Sequence, residues 1–365
     1  MARIDLDNIR HAYAPNPTQE SDYALRRVNH AFEDGGAYAL LGPSGCGKTS
    51  MLNIISGLVA PTEGRVLFNG EDVTQRSTEK RNIAQVFQFP VVYDSMTVRE
   101  NLAFPLRNRG VKSAEIRKRV DEVIDVVGLG ALASRRARGL TADEKQKISL
   151  GRGLVRPDVS AILFDEPLTV VDPHMKWQLR ASLREVHRRT ATTMIYVTHD
   201  QTEALTFASK VVVMYDGMIV QVGTPAELFD KPSHTFVGYF IGSPGMNIVP
   251  ASLNGASMQI GAHVVPLASA PRVEGQPKLE FGVRPEFVRL GAQGIPAKVS
   301  RVEDAGRYRV AHLNMDGNAI AALLREGEEI PASPHITFDP IGVHLYADSW
   351  RVDVTGAGFG EAGAQ

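Results

Sequence analysis

The stretch LLGPSGCGKTS, residues 40–50, decides the fold of this chain. Residues 42–49 match the pattern G-x-x-x-x-G-K-[ST], with an apolar strand-like run before them and the apolar helical run TSMLNIISGL after them. Glycines let successive backbone N–H groups converge on phosphate oxygens, and the helix N-terminus adds a partial positive charge. The stretch therefore predicts a phosphate-binding loop; a chance glycine turn before a helix is the alternative.

Each part of this loop has a predicted role toward a bound nucleotide and its metal ion. Lys48 is expected to reach the β- and γ-phosphates, and the Thr49 hydroxyl is expected to ligate Mg²⁺. The predicted nucleotide-binding residues of the loop are Gly42, Pro43, Ser44, Gly45, Cys46, Gly47, Lys48, Thr49 and Ser50.

Polar side chains also follow two other strand-like runs. AILFDEP, residues 161–167, ends with Asp165 and Glu166, and TMIYVTHD, residues 193–200, carries His199 at its end. Ligands of open α/β sheets bind at the carboxyl ends of the strands. Asp165 would hold Mg²⁺, Glu166 would accept a proton from an attacking water, and His199 would sense the γ-phosphate. A helix-capping acid pair and a structural histidine are the alternatives.

The chain shows two patterns of secondary structure. Residues 1–240 alternate strand-like and helical runs, which is typical of an α/β fold with a parallel sheet. Within them, residues about 95–158 show helical spacing without strand patterns, so a helical subdomain is predicted there. Residues 241–355 are short β-rich runs separated by Gly and Pro, which predict a separate all-β barrel domain. The Gly/Ala-rich tail, 356–365, is predicted to be disordered.

One turn can be predicted in detail. GRVLFNGEDV, residues 64–73, has Asn69-Gly70 between two strand-like runs, which predicts an antiparallel hairpin.

The composition limits the compartment and the partners. The 365 residues are 43% hydrophobic and carry a formal net charge of −1, so nothing in the overall charge favours nucleic acid. Cys46 is the sole cysteine, which excludes an intrachain disulfide and favours a reducing compartment. The N-terminal stretch is not typical of a signal peptide, and the apolar runs are shorter than the ~20 residues that a membrane span needs.

The phosphate loop, Gln88, LFDEP, VVDP and VTHD, in this order and spacing, resemble the ATPase subunit of an ABC transporter over nearly the whole chain. The resemblance implies an α/β P-loop ABC ATPase core with a helical subdomain, and ATP with Mg²⁺ as its ligands. It implies that Asp172 lies in the D-loop. Gln88 lies where the α/β core gives way to the helical insertion, so its amide is predicted to bind the metal or the catalytic water. The resemblance also implies that Tyr13 stacks on adenine; a half-buried strand tyrosine is the alternative.

The C-terminal part carries a second resemblance. FGVRPEFV, residues 281–288 with Arg284, Pro285 and Glu286, looks like part of the OB-type regulatory domain of importer ATPases. Those importers serve sugars, polyols and glycerol phosphate, so the resemblance favours import over export.

The segment LTADEKQKISLGRGL, residues 140–154, departs from the family pattern LSGGQ, which acts in trans by presenting backbone N–H groups to the nucleotide of the partner subunit. A carboxylate ~4 Å from one phosphate charge costs about 4 kcal/mol at an effective dielectric of ~20. Acids in a first helical turn instead stabilise the helix by ~0.3–1 kcal/mol each. The segment is therefore interpreted as a sound helix start with a weakened ligand function. Its aligned residues are Leu140, Thr141, Ala142, Asp143 and Glu144.

These features lead to an expected function. The chain is expected to be an ATP-hydrolysing subunit that powers a bacterial importer of a small polyol or sugar, peripheral on the cytoplasmic face of the inner membrane. VFQFPVVYDSMTV, residues 86–98, and the segment 140–154 are similar to the degenerate-signature ATPase of two-ATPase glycerol importers, which favours glycerol. Other sugars or glycerol phosphate remain alternatives.

The expected partners are a second ABC ATPase subunit with an intact LSGGQ, two transmembrane permease subunits and, indirectly, a periplasmic or lipid-anchored solute-binding protein. No nucleic acid is expected. The alternatives from other classes are a soluble ABC ATPase of DNA repair or translation, an ATP-binding regulatory subunit with little turnover, and a P-loop kinase.

Overall fold

The computed structural model describes residues 2–255, 257–266, 271, 273 and 275–352. The predicted disordered tail at 356–365 lies outside them, as do residues 353–355 of the predicted second domain. The chain divides into two compact units, Met1–Pro225 and Ala226–Gln365.

The first unit mixes strands and helices. Its strands are β1 (Ile4–His11), β2 (Leu25–Phe32), β3 (Ala37–Leu41), β4 (Glu63–Phe68), β5 (Glu71–Asp72), β6 (Ile83–Val86), β7 (Ala161–Asp165), β8 (Met194–Thr198), β9 (Lys210–Tyr215) and β10 (Met218–Gly223). Its helices are α1 (Lys48–Ser56), α2 (Val98–Arg107), α3 (Ser113–Val127), α4 (Ala142–Leu154), α5 (Pro173–Thr190) and α6 (Gln201–Phe207).

A mostly parallel sheet forms the centre of this unit. Its order is β10-β9-β3-β8-β7-β6, and only the edge strand β10 pairs antiparallel. The five residues of β3 and the five of β8 are all buried, as expected for strands covered on both faces. The parallel pairing aligns the carboxyl ends of β3, β8, β7 and β6 along one edge of the sheet. The α/β prediction is confirmed.

A second, antiparallel sheet has the order β2-β1-β4-β5 and shares an apolar core with the first. Its β4–β5 hairpin pairs Phe68 with Glu71, leaving a two-residue loop. Asn69 and Gly70 have φ angles of 51° and 80°, the left-handed values that a type I′ turn requires. The predicted hairpin is confirmed.

The helices between β6 and β7 pack on one another. α2 and α4 begin with capping boxes, Thr97 with Glu100 and Thr141 with Glu144, and α3 ends at Gly128 in the left-handed conformation. These caps explain why helices form here, whereas the predicted bounds of a helical subdomain stay a prediction. Across the described ranges, no helix is both long and apolar enough to span a bilayer.

The second unit consists mainly of strands. It begins with two short helices, α7 (Pro225–Asp230) and α8 (Thr235–Phe240). The strands are β11 (Asn247–Pro250), β12 (Ser252–Asn254), β13 (Ser257–Ile260), β14 (His263–Pro266), β15 (Leu279–Val283), β16 (Val288–Gly291), β17 (Ile295–Pro296), β18 (Lys298–Asp304), β19 (Arg309–Met315), β20 (Asn318–Leu324), β21 (His335–Phe338), β22 (Val343–Ala347) and β23 (Trp350–Arg351).

These strands form small antiparallel sheets around one apolar core. The sheet orders are β11-β15-β22-β23, β12-β13-β14, β16-β21-β17 and β18-β19-β20. The all-β character predicted for this part of the chain is confirmed. The first compact unit ends at Pro225, and α7 and α8 lie with the strands of the second; the domain boundary predicted at residue 240 stays a prediction.

Arg284 explains why α7 and α8 lie with the strands. Its side chain is 1% exposed. Its Nε donates to Phe229 O at 2.7 Å and its Nη1 to Ile241 O at 2.5 Å, while its guanidinium carbon lies 3.9 Å from the centre of the Phe229 ring. Tyr346 adds a bond from its hydroxyl to Pro232 O at 3.1 Å. A buried guanidinium thus ties the ends of α7 and α8 to β15.

We predict that Arg284→Met lowers the free energy of unfolding of the second unit by about 3 kcal/mol, because it leaves buried carbonyls without donors. The chain has two tryptophans, one in each unit, so denaturant unfolding in a Trp177→Phe background reports on Trp350. Arg289→Met, at an exposed position of β16, is the matched control and should cost little. Equal effects of the two variants would contradict the assignment.

Candidate functional site

The loop from Gly42 to Gly47 joins the buried strand β3 to helix α1. Gly45 and Gly47 have φ angles of 82° and 98°, which residues with a Cβ rarely adopt. A Cβ on Gly42 would lie 2.2 Å from Met214 O, and a Cβ on Gly47 would lie 2.5 Å from Ala24 O. The glycines of the motif are therefore required by the backbone, and the loop leads into the unpaired N–H groups at the start of α1.

The Lys48 side chain bonds to the backbone of this loop. Its side chain is buried, and its Nζ donates to Gly42 O at 2.9 Å and to Pro43 O at 2.8 Å. The same Nζ lies 3.8 Å from Cys46 Sγ, and burial raises the pKa of the Cys46 thiol, which disfavours the reactive thiolate. The ammonium group is thus fixed beside the N–H groups that are predicted to receive phosphate.

Thr49 and Asp165 meet beside the loop. Thr49 Oγ1 donates to Asp165 Oδ1 at 3.1 Å, which joins α1 to the carboxyl end of β7. Burial raises the pKa of Asp165 and the charge of Glu166 adds to this rise, while Thr49 and Lys48 oppose it.

A hydroxyl and a carboxylate are oxygen donors that suit Mg²⁺, which usually takes one or two protein ligands beside substrate phosphates and water. A bound cation would favour the charged carboxylate that burial disfavours. The chemistry of Thr49 and Asp165 therefore fits the predicted metal site, which stays a prediction.

Glu166 lies directly beyond β7 with a φ of 45°, a strained value for a residue that has a side chain. Its N–H donates to Val197 O at 3.0 Å. Its Oε2 lies 3.4 Å from Gln88 Nε2, 3.2 Å from His199 Nδ1 and 3.4 Å from Thr169 Oγ1. The structure thus brings together the residues predicted to be catalytic, and it holds the carboxylate through one oxygen.

Two predicted residues lie around this centre. The amide nitrogen of Gln88 contacts Glu166, and the second predicted role of Gln88, as a metal ligand beside Thr49 and Asp165, stays a prediction. Tyr13 lies beyond β1 and is 65% exposed, so the alternative interpretation of Tyr13 as a half-buried strand residue is wrong. Its hydroxyl lies 2.9 Å from Ser50 Oγ in α1, which places an exposed ring beside the loop, where a base could stack.

The segment aligned with the LSGGQ signature caps helix α4. Thr141 Oγ1 accepts from Glu144 N at 3.3 Å, and Glu144 Oε2 accepts from Thr141 N at 2.8 Å. Asp143 Oδ2 pairs with Lys147 Nζ at 2.7 Å, and the Lys147 side chain is only 9% exposed. Both carboxylates therefore bond within the segment, which agrees with the helix-start interpretation, and α4 begins at Ala142.

Asp172 and Thr169 lie in the segment after Glu166. Asp172 is the N-cap of α5, where its Oδ1 accepts from His174 N at 2.8 Å; its D-loop role stays a prediction. Thr169 is not among the residues predicted from the sequence, yet its hydroxyl also donates to Glu166 O at 3.0 Å. The available signal was its position three residues after the acid, within reach of the same turn.

Glu203 is the second residue that the sequence analysis missed. It is buried one turn beyond His199, at the start of α6. Its carboxylate accepts from Tyr196 Oη at 3.0 Å, from Thr198 Oγ1 at 2.9 Å and from Lys176 Nζ at 3.3 Å. These bonds fix the end of β8, which directly precedes His199. The sequence signal for Glu203 was an acid in the first turn of the helix that follows His199.

Comparison with known proteins shows relatives along most of the chain. Residues 25–169 match the family described as ABC transporter. The uncharacterized ABC transporter ATP-binding protein y4oS of Sinorhizobium fredii is 39% identical over 87% of this chain and 86% of its own. The sn-glycerol-3-phosphate import ATP-binding protein UgpC of Bordetella pertussis is 36% identical over 94% of this chain and 96% of its own. The trehalose import ATP-binding protein SugC of Mycobacterium tuberculosis is 38% identical over 88% of this chain and 84% of its own.

A solved structure supports the same relationship. The dimeric post-hydrolysis structure of the ATP-binding cassette MJ0796, bound to ADP and Pi, is 26% identical with a TM-score of 0.54. The match covers 60% of this chain and 98% of that one. From the phosphate loop, the acid pair at its side and relatives that extend along both units, we conclude that the chain belongs to the ATP-binding, ATP-hydrolysing subunits of ABC transporters.

Proposed function

We propose that this chain is the ATPase subunit of a bacterial importer for a small polyol or sugar, with glycerol the favoured solute. The relatives UgpC and SugC, named for import of sn-glycerol-3-phosphate and trehalose, match it over 94% and 88% of its length, which includes the β-rich unit. Glycerol itself rests on the similarity of the segments 86–98 and 140–154 to glycerol importers. The solute is tested by adding glycerol, glycerol 3-phosphate or trehalose to the reconstituted transporter and measuring which one stimulates ATP hydrolysis.

The observation that carries the catalytic part of the proposal is the convergence of Gln88 and His199 on the Glu166 carboxylate. In the proposed reaction Lys48 binds the β- and γ-phosphates, and Thr49 and Asp165 hold Mg²⁺. A water molecule attacks the γ-phosphorus, its proton passes to Glu166, and the bond to the ADP oxygen breaks. His199 stabilises the charge that develops on the γ-phosphoryl group.

The proposed partners follow from the surface as well as from the family. Four side chains of the segment after β6 are exposed although they are large and apolar: Phe87, Phe89, Val91 and Tyr93 are 38%, 69%, 52% and 40% exposed. An apolar surface of this kind suits a protein partner, and we assign it to two transmembrane permease subunits. The chain then lies on the cytoplasmic face of the inner membrane, and a periplasmic or lipid-anchored protein delivers the solute.

The ATPase pair is proposed to be a heterodimer. At the start of α4, Glu144 occupies the N–H group of Thr141, and Ala142 adds a Cβ where a γ-phosphate would have to approach. The ion pair of Asp143 with Lys147 reduces, but does not reverse, the repulsion that a triphosphate would meet. A second ATPase with an intact LSGGQ would complete the site at this chain's phosphate loop and leave its own site weak.

The first prediction from this asymmetry is that Glu166→Gln abolishes transport by the assembled complex, because it inactivates the strong site. The equivalent change in the partner ATPase should be better tolerated. Solute uptake into proteoliposomes measures both. Equal losses from the two changes, or full activity of a purified homodimer of this chain, would contradict the proposed heterodimer.

The second prediction concerns repair of the signature. In the Glu166→Gln background, replacing Ala142, Asp143 and Glu144 by Gly, Gly and Gln should raise the residual ATP turnover about tenfold, the equivalent of about 1.4 kcal/mol of repulsion removed. The same change should lower the stability of the chain by about 1–2 kcal/mol, because glycine is a poor helix former and the Asp143–Lys147 ion pair is lost. A loss of stability without a gain in turnover would contradict the weak-site interpretation. Thr97→Ala, which removes the cap of α2 alone, is the control.

A further inference from the structure

Gln146 lies in the second turn of α4, and its side chain is fully buried at 0% exposure. Its Nε2 donates to Phe87 O at 3.0 Å and to Pro167 O at 2.9 Å. Phe87 directly precedes Gln88, and Pro167 directly follows Glu166. One amide group therefore holds the backbone next to both side chains that meet at the Glu166 carboxylate.

The hydrogen bonds of Gln146 explain why an amide occupies this position. The amide nitrogen donates both of its hydrogens to the two carbonyls. Its Oε1 is buried without a partner in the part of the chain that the structure describes. A buried acceptor without a donor is unfavourable, so burial alone would favour an apolar side chain of the same length. The amide is retained because of the two carbonyls it holds.

The strain at Glu166 makes this restraint important. A φ of 45° persists only where the surroundings hold the backbone in place. The Glu166 N–H donates to Val197 O, the Thr169 hydroxyl donates to Glu166 O, and Gln146 holds the next carbonyl, that of Pro167. Of these restraints, the bond from Gln146 comes from α4 and reaches the Gln88 segment as well.

We infer that Gln146 is a positioning residue for ATP hydrolysis, which fixes the separation between the Gln88 and Glu166 segments so that the amide and the carboxylate stay in contact. It acts through the backbone, because the bonds of its buried amide go to the carbonyls of Phe87 and Pro167. The inference rests on the proposed roles of Gln88 and Glu166. Through these bonds α4, whose first turn carries the degenerate signature, contacts the backbone next to Gln88 and Glu166 of its own subunit.

The test is Gln146→Met in the full-length chain, assembled with its transporter. Methionine keeps the length of the side chain and cannot donate to the carbonyls. We expect kcat for ATP hydrolysis to fall by about 10- to 100-fold, the effect of misplacing a reacting group by about 1 Å. The KM for ATP should stay within about twofold, because the contacts of Lys48 and Thr49 are unchanged. Gln146→Asn, which keeps an amide but shortens its reach, should act in the same way and serves if the methionine variant does not fold.

A double mutant separates positioning from a general loss of stability. If Gln146 acts by placing Gln88 against Glu166, then Gln146→Met should add little to the loss caused by Gln88→Ala, since both disturb one unit. Losses in kcat that multiply would overturn the inference. An unchanged kcat in both Gln146 variants would overturn it as well.

Asn247→Leu is the matched control. Asn247 is a buried amide of the second unit with two bonds to one residue, from its Nδ2 to Ala321 O at 2.9 Å and from Ala321 N to its Oδ1 at 2.7 Å. The Asn247→Leu variant should lower the melting temperature as Gln146→Met does, and it should leave kcat unchanged. An equal fall in kcat in both variants would show that Gln146 has only a structural role. Wild-type turnover in Glu166→Gln would instead contradict the proposed function, whatever the Gln146 variants show.

Discussion

The parallel pairing of β3, β8, β7 and β6 is the constraint on which the candidate site depends. Neighbouring strands lie only about 4.8 Å apart, so groups that follow their carboxyl ends fall into one row. The phosphate loop follows β3, the acid pair lies at the end of β7, and His199 follows β8. No local feature of these three segments could bring them together; the sheet does it because its strands are apolar on both faces and must be covered.

Within that row, the chain holds Glu166 by more contacts than its carboxylate alone would need. A strained backbone, three side chains on one carboxylate oxygen, the bond from its N–H to Val197 O, and the bonds to the carbonyls of Glu166 and Pro167 restrict its position. Such restraint suits a general base, because a group already in place loses little freedom when the reaction begins. The restraints come from β8, from the Gln88 segment, from the turn at Thr169 and from α4, so a shift of any of these segments changes the geometry at Glu166.

The start of α4 is fixed by the same residues that align with the signature motif. Thr141 and Glu144 cap the helix reciprocally, and Asp143 forms an ion pair with Lys147 one turn on. The helix gains a well-defined start, and the weak anion site that we propose at its N-terminus rests on the same contacts.

The sequence by itself determined the features that depend on short-range chemistry: the phosphate loop, whose glycines are required by positive φ angles and close backbone approach; the buried strands, which are continuous apolar runs; and the turn at Asn69-Gly70. Which distant groups meet depends on the packing of the whole chain. The contacts of Gln88 and His199 on Glu166, the carbonyls held by Gln146, and the attachment of α7 and α8 through Arg284 all join segments far apart in the chain. Such pairings depend on how the elements pack in three dimensions, and no local pattern encodes that.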